Sequence, residues 1–264
     1  MRAEVHQIVT FSRRAFSGNP VFVVSLPDEA PDKTMQSLAG QLNEAVLASL
    51  RQAGSDTVQL HFHTREGRHG GAGHAMLAAA HIAFASGHDG DTLTFAMADG
   101  SQRVVRRKGN RIDVPWPLMP GEPIDKREAL GNALGRMPRE TLDAPFGFVA
   151  VYDSPADLLA LEPDMAAITS LERGAVIATA PGDVSDFVLR VFAPKLGLPE
   201  DPVCGTAHRI LVPYWADKLG RKELHSVQLS PRGGDLWCTL HEDRVEIGGE
   251  CCHFLSGTIE LPES

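Results

Sequence analysis

Apolar and polar positions alternate in short runs along the whole chain: Val5, Ile8 and Phe11; Val58, Leu60 and Phe62; Leu93 and Phe95; Ile112 and Val114; Leu236, Cys238 and Leu240; Val245 and Ile247. Successive side chains of a strand point to opposite faces, so each run predicts a strand with one buried face. Gly, Pro, Asp and Asn punctuate the runs about every 8–12 residues, which favours mostly antiparallel sheet over regular β-α units. Two segments depart from alternation, the strong helix formers from Met76 to Phe84 and the largely apolar run from His208 to Trp215. A helix that is apolar nearly all round is a central one, so the pattern predicts an α+β protein whose strands wrap core helices.

Pro115, Pro117, Pro120 and Pro123 fall within nine residues, which forbids a regular helix there and suits a connector between two lobes. The expected lobes are residues 1–116 and 117–264, with the course of the last strand, about 253–264, left open between the second lobe and a return to the first. The halves carry a faint repeat. Gly71-Ala72-Gly73-His74-Ala75 and Val203-Cys204-Gly205-Thr206-Ala207 align at an offset of 132, half of the 264 residues, and each leads into one of the apolar helices.

Charge narrows the partners. Lys and Arg number 25 against 34 Asp and Glu, a net charge of −9 that supplies no excess positive charge for phosphates, so nucleic acid is not expected. Hydrophobic residues at 43% and charged residues at 22% describe an ordinary globular protein, neither disordered nor fibrous. Apolar runs such as Ala75 to Ala80 fall far short of the ~18–20 residues of a membrane span. Glu4 and His6 stand where a leader would be apolar, so a cytoplasmic protein is expected. Cys204, Cys238, Cys251 and Cys252 have no C-x-x-C spacing and are expected as free thiols. With neither G-x-G-x-x-G after a strand nor a P-loop, no nucleotide cofactor is expected.

The chemistry-bearing candidates each have a plainer alternative. Small residues opening a buried helix leave backbone N–H groups unpaired and make an anion site, or else form tight turns in which Gly73 and Gly205 supply unusual backbone angles. Glu44 is flanked by apolar residues, where partial burial would raise its pKa toward neutrality; a solvated Glu at an element's end is the commoner case. Asp201 precedes Pro202 and by itself reads as a turn residue. His61 and His63 share one strand face, with His69 and His74 beyond, but without H-E-x-x-H spacing they read as a solvated face, and no metal is expected. Cys251 and Cys252 point to opposite faces and receive no function.

Taken in order, Phe11-Ser12, Phe16-Ser17-Gly18-Asn19-Pro20-Val21, Leu42-Asn43-Glu44, Gly73-His74, Asp201-Pro202-Val203-Cys204-Gly205-Thr206-Ala207 and the helix end Pro213-Tyr214-Trp215 resemble the phenazine-biosynthesis PhzF-like isomerases. The resemblance spans essentially the whole chain. It implies the diaminopimelate-epimerase-like fold, two pseudo-symmetric lobes that each wrap a β-barrel-like sheet around a central helix. It implies a homodimer and a cofactor-independent isomerase that binds a small carboxylate at the two helix starts and moves a proton. Glu44 matches the proton-shuttling glutamate, and His74 and Asp201 match polar catalytic residues. Gly18, Asn19, Ala72, Gly73, Cys204, Gly205 and Thr206 match substrate-binding positions.

Several positions depart from the family pattern. Thr206 stands for the prototype's serine and keeps a hydroxyl. No proline follows His74, and Asn43 replaces a common serine. Cys204 stands for threonine, whereas related two-thiol epimerases and racemases have a catalytic cysteine there; the aligned first-lobe residue is Ala72, which disfavours two-thiol racemisation. An amino- or imino-acid epimerase or dehydratase using Cys204 as one base is the second enzyme reading, and a non-catalytic binding scaffold is the third.

Overall fold

A computed structural model describes residues 1–54, 57–88 and 90–262. In chain order the first elements are β1 (Arg2–Thr10), β2 (Asn19–Ser25), α1 (Asp32–Gln41), β3 (Leu47–Gln52), β4 (Thr57–His63), the short β5 (Arg68–His69), α2 (Gly73–Ala85), β6 (Thr92–Met97), β7 (Gln102–Lys108) and β8 (Arg111–Pro117). They are followed by β9 (Glu122–Pro123), α3 (Arg127–Leu134), β10 (Glu140–Asp143), β11 (Gly147–Val151), α4 (Pro155–Leu159), α5 (Met165–Ser170), β12 (Ala175–Pro181) and β13 (Phe187–Phe192). After a 3-10 turn at Pro194–Leu196 come α6 (Gly205–Leu219), β14 (Glu223–Gln228), β15 (Gly234–Leu240) and the long β16 (Arg244–Glu260). The chain divides into two compact units, Met1–Pro115 together with the segment from Gly248 onward, and Trp116–Ile247.

In the first unit the strands neighbour one another in the order β1-β2-β3-β4-β6-β7-β8-β16, and β16 pairs back with β1 from Arg2 to Thr10, which closes the sheet into a barrel. The helix α2 packs against β1, β2, β3 and β4, and Ala75, Met76, Leu77, Ala78, Ala79 and Ala80 are all buried, as the absence of a polar face predicts. Alternation in β2 sends Val24 the opposite way from Val21 and Val23. Val24 and Leu47 pack with Met35 and Ala39 of α1, which forms a second layer on the sheet.

The second unit repeats the design. Its strands run β9-β10-β11-β12-β13-β14-β15-β16, with α6 against β14 and β15. Trp215 of α6 stacks on Phe187, ring centroids 6.0 Å apart, and its Nε1–H donates to Thr179 Oγ1 at 3.0 Å. A separate cluster joins Leu130, Leu134, Leu158 and Ile168 of the short helices to Phe148, Val176 and Phe192. The pairing senses match element by element. The pairs β1–β2, β3–β4 and β6–β7 are antiparallel and β2–β3 and β4–β6 parallel; β10–β11, β12–β13 and β14–β15 are antiparallel and β11–β12 and β13–β14 parallel. In both series a parallel pair is joined by a helical crossover, the connection that parallel strands require.

One expectation is corrected here. Pro213 does not mark a helix end: α6 continues to Leu219, with Pro213 inside it. Proline removes the bond to the carbonyl four residues earlier, that of Arg209. Met119 of the proline-rich segment donates its N–H to that carbonyl at 3.0 Å, and Arg209 Nε donates to Pro117 O at 2.8 Å, so the freed acceptor is satisfied.

Candidate functional site

In the first unit, strand direction gathers the candidates at one end of the sheet. The turn from Phe11 to Gly18 joins β1 to β2, and because β3 runs parallel to β2 it begins at that same end, three residues after Glu44. The antiparallel β4 finishes there, with His63 opposite Leu47, and β5 pairs with it a few residues before α2 begins at Gly73. Gly18, Asn19, Glu44, Ala72, Gly73 and His74 thus share one end of the first unit. Among the described residues no hydrogen bond or ion pair joins Glu44 to His74.

Gly18 is held at φ +62°, and a Cβ there would lie 2.2 Å from Thr10 O. Only glycine fits both the backbone angle and the approach. The next residue, Asn19, is buried, and its carbonyl accepts from Thr10 Oγ1 at 3.0 Å.

Glu44 is placed by the way α1 ends. Asn43 takes a left-handed conformation, φ +57°, and donates its N–H to Gly40 O at 3.1 Å, while Glu44 N–H donates to Ala39 O at 3.0 Å. This is the Schellman arrangement, in which a left-handed residue lets its own amide and the next one cap the helix's last carbonyls. Asparagine tolerates that conformation, and Asn43 Oδ1 also accepts from Arg65. The half-buried Glu44 carboxyl has its pKa raised from 4.5 to about 7 by desolvation, with no cation offsetting the burial.

The second residue of α2, His74, has its pKa lowered to about 4, first by burial and then by His69, so it is neutral at pH 7. Ala72 precedes the helix in extended conformation and provides no side-chain cap. Gly73 and Gly205 are not among the glycines with positive φ, so the tight-turn alternative, which needed unusual angles there, does not hold.

In the second unit the loop before α6 is pinned at every step. Asp201 N–H donates to Val191 O at 2.9 Å, and Asp201 Oδ1 accepts from Val203 N–H at 3.1 Å across Pro202. Cys204 N–H donates to Gln228 Oε1 at 2.8 Å, and Gln228 Nε2 donates to Asp201 O at 2.6 Å. Burial raises the Asp201 pKa against the opposing bonds from the Cys204 thiol and Val203 N–H. Cys204 is buried, and desolvation, then the Asp201 charge, lift its thiol well above the ordinary range, although the amides of Ala207 and Thr206 favour the thiolate. Burial and the Asp201 charge both favour the protonated thiol at neutral pH.

Sequence reasoning missed the residues that hold this loop. His208 is fully buried with its pKa lowered to about 4 by desolvation; its Nδ1–H donates to Cys204 O at 2.9 Å and its Nε2 accepts from Ser226 Oγ at 2.6 Å. A histidine in the largely apolar run from His208 to Trp215 was the available signal; Gln228 and Ser226, on one face of β14, carried none. His61 and His63 are a further correction. They are buried, 9% and 2% exposed, instead of solvated, because α1 packs against β4 on that side. Ser49 Oγ bonds His63 Nε2 at 2.9 Å, and the pair sits beside Met35. Among the described residues no group of three His, Cys, Asp or Glu side chains is placed to hold a metal, and no helix is long and apolar enough to cross a membrane.

Two repeated α+β units, one a barrel closed around its helix, define the epimerase-like class of folds. The profile of the phenazine biosynthesis-like proteins, PhzC-PhzF, matches residues 8–257, and the chain belongs to that family. An uncharacterized isomerase of Pseudomonas aeruginosa is 37% identical over 262 residues, covering 99% of this chain and 100% of its own. A crystal structure of a PhzF family protein from Enterococcus faecalis superposes with a TM-score of 0.94 at 33% identity, over 99% of this chain and 100% of that one. At 17% identity a predicted epimerase from Pseudomonas aeruginosa, TM-score 0.71 over 97% and 98% of the chains, shares the fold.

Proposed function

We propose that this chain is a cofactor-independent isomerase that moves a proton on a small carboxylic acid, with Glu44 acting first as base and then as acid. The observation that carries the reading is the Glu44 carboxyl, whose pKa of about 7 is set by burial alone. At neutral pH such a group is present in both forms, which is what a residue that removes and redelivers one proton requires. The proposal assigns carboxylate recognition to the backbone donors opening α2 and α6, at Gly73 and at Gly205 and Thr206, where the helix dipole favours negative charge. Neutral His74 is suited to hydrogen bonding with substrate, and Asp201, its pKa raised by burial, to donating a hydrogen bond when protonated. The thiol of Cys204, held above its ordinary pKa, is poorly suited to be a base, which favours this reading over the epimerase one.

Exchange of solvent deuterium into a panel of small carboxylic acids tests the reading. On the substrate that exchanges, Glu44→Gln should fold and lose at least ~100-fold in turnover, because an amide keeps the shape and cannot exchange the proton. Cys204→Thr should stay within about threefold of the native rate, a hydroxyl packing much as a protonated thiol does. Near-native turnover by Glu44→Gln overturns the assignment, and loss in both variants moves it to the thiol-dependent class.

A further inference from the structure

The two helix starts are equivalent in the repeat but are not built alike. Both backbone groups of Cys204, the residue before α6, are held by buried side chains, one from β14 and one from α6 that is itself bonded to β14. Its N–H goes to Gln228 Oε1 at 2.8 Å, and its carbonyl accepts from His208, whose other nitrogen bonds Ser226 Oγ. Gln228, Ser226 and His208 are each 0% exposed. The Gln228 amide uses both its ends, since its Nε2 donates to Asp201 O at 2.6 Å. One side chain therefore ties the two ends of the Asp201–Cys204 turn, and Pro202 between them has no N–H to add. At the offset of 132, Met76 and Ala96 stand where His208 and Gln228 do, so α2 has no such arms. In the first loop Gly71 N–H donates to His69 Nδ1 at 3.2 Å, with His69 on the exposed, two-residue β5, and the Ala72 carbonyl accepts from the backbone N–H of Met76 at 2.9 Å.

We propose that Gln228 is a positioning residue that presets the α6 helix start for a substrate carboxylate, and that affinity for the carboxylate rests mainly on this start. The inference rests on the reading that these donors bind the substrate's carboxylate. The peptide planes of Cys204 and Gly205 set where the Gly205 and Thr206 N–H groups point. With both groups of Cys204 fixed, those donors need no ordering when an anion arrives, and preorganisation of this kind strengthens binding by removing an entropic cost. An interaction of equal strength in the bound and reacting states appears in KM and leaves kcat.

The test pairs kinetics with amide hydrogen exchange on the full chain. In Gln228→Leu, which removes the Gln228 bonds to the Cys204 N–H and the Asp201 carbonyl, exchange at residues 204–207 should speed up about tenfold or more while β6 and β7 stay unchanged. On the substrate found by deuterium exchange, KM should rise about tenfold with kcat within about threefold and the pH profile unmoved. Gln228→Glu keeps the shape and the acceptor but loses the donor to Asp201. It serves if the leucine variant does not fold, and it should show the same split in smaller measure. Unchanged loop exchange overturns the proposal, as does faster loop exchange with an unchanged KM, or a fall in kcat that matches the fall in kcat/KM. Failure of the proton-transfer reading is seen separately, in Glu44→Gln. If the native protein turns nothing over, benzoate titrated against the Gly205 and Thr206 amide resonances replaces KM: saturable shifts weakened about tenfold by Gln228→Leu uphold the inference, and their absence in the native protein or persistence in the variant overturns it.

Discussion

At Glu44, suitability for proton transfer and loss of stability have one cause, the burial of a carboxyl with no compensating cation. Its pKa is near 4.5 in an unfolded chain and about 7 in the folded one, so between those values the native state binds a proton that the unfolded state does not. Stability from this group is therefore greatest below about pH 4.5 and falls as the pH rises through 7. His63, His74 and His208, whose pKa values desolvation lowers, act in the opposite sense. Their pKa values, lowered to about 4, mean that protons bind preferentially to the unfolded chain as the pH falls from 6.5 toward 4. Comparing native protein with Glu44→Gln at each pH cancels the histidine contribution. The variant should be more stable at pH 8, by on the order of 1–3 kcal/mol, and the gain should shrink to nothing near pH 4.5. Urea denaturation of both proteins at the two pH values measures it; an equal effect at both would mean that the carboxyl is not held near neutrality.

The helix end that presents Glu44 makes a prediction at the scale of an element. Asn43 sits at φ +57° so that its own amide and that of Glu44 can cap α1, and a glycine would adopt that angle without cost. Asn43→Gly should leave stability within about 0.5 kcal/mol and activity near native, while Asn43→Val should lose about 1–2 kcal/mol. The valine variant should also shift the Glu44 pKa, since the carboxyl moves with the cap. Chemical denaturation and the pH profile of turnover check the pair; equal behaviour of the two variants would show that the cap does not position Glu44. How far each element was legible follows from similar physics. Runs such as Val58, Leu60 and Phe62 and the apolar stretch of α2 declare themselves, because period and composition are local properties. The parallel pairing of β2 with β3 and of β4 with β6 was hidden, since alternation records which face is buried and nothing about which strand lies alongside. His61 and His63 were misread for a related reason: their burial comes from α1, a neighbour that no local pattern of β4 records. In the site, Glu44 and the two helix starts stood out by motif, whereas Gln228 acts through two backbone bonds to residues 24 and 27 positions away.

At the scale of the whole molecule, the faint repeat at an offset of 132 expands into two matching series of hairpins and helical crossovers, and the last strand serves both. Arg244–Ile247 of β16 belong to the second unit and the rest to the first, where Cys251 to Glu260 pair with β1 from Thr10 to Arg2. The contact continues past the strand: Met1 and Leu261 exchange bonds, the terminal ammonium donating to Leu261 O at 2.7 Å and Leu261 N–H to Met1 O at 2.8 Å. Ladder pairing of residues some 250 apart forms late relative to local hairpins, because closing so long a loop costs entropy before any contact offsets it. Without this segment β1 becomes an edge. Its donors and acceptors on one side lose their partners, and Ala3, Val5, Ile8 and Val9, all buried, lie on a barrel that can no longer close. A chain ending at Glu250 should therefore accumulate as insoluble protein, while one ending at Pro262, which keeps every one of these bonds, should match the native thermal midpoint within a few degrees. Solubility on expression and circular dichroism melting of the two truncations decide the point, and a soluble, cooperatively melting 1–250 chain would show that the part of β16 that pairs with β1 is dispensable to the first unit.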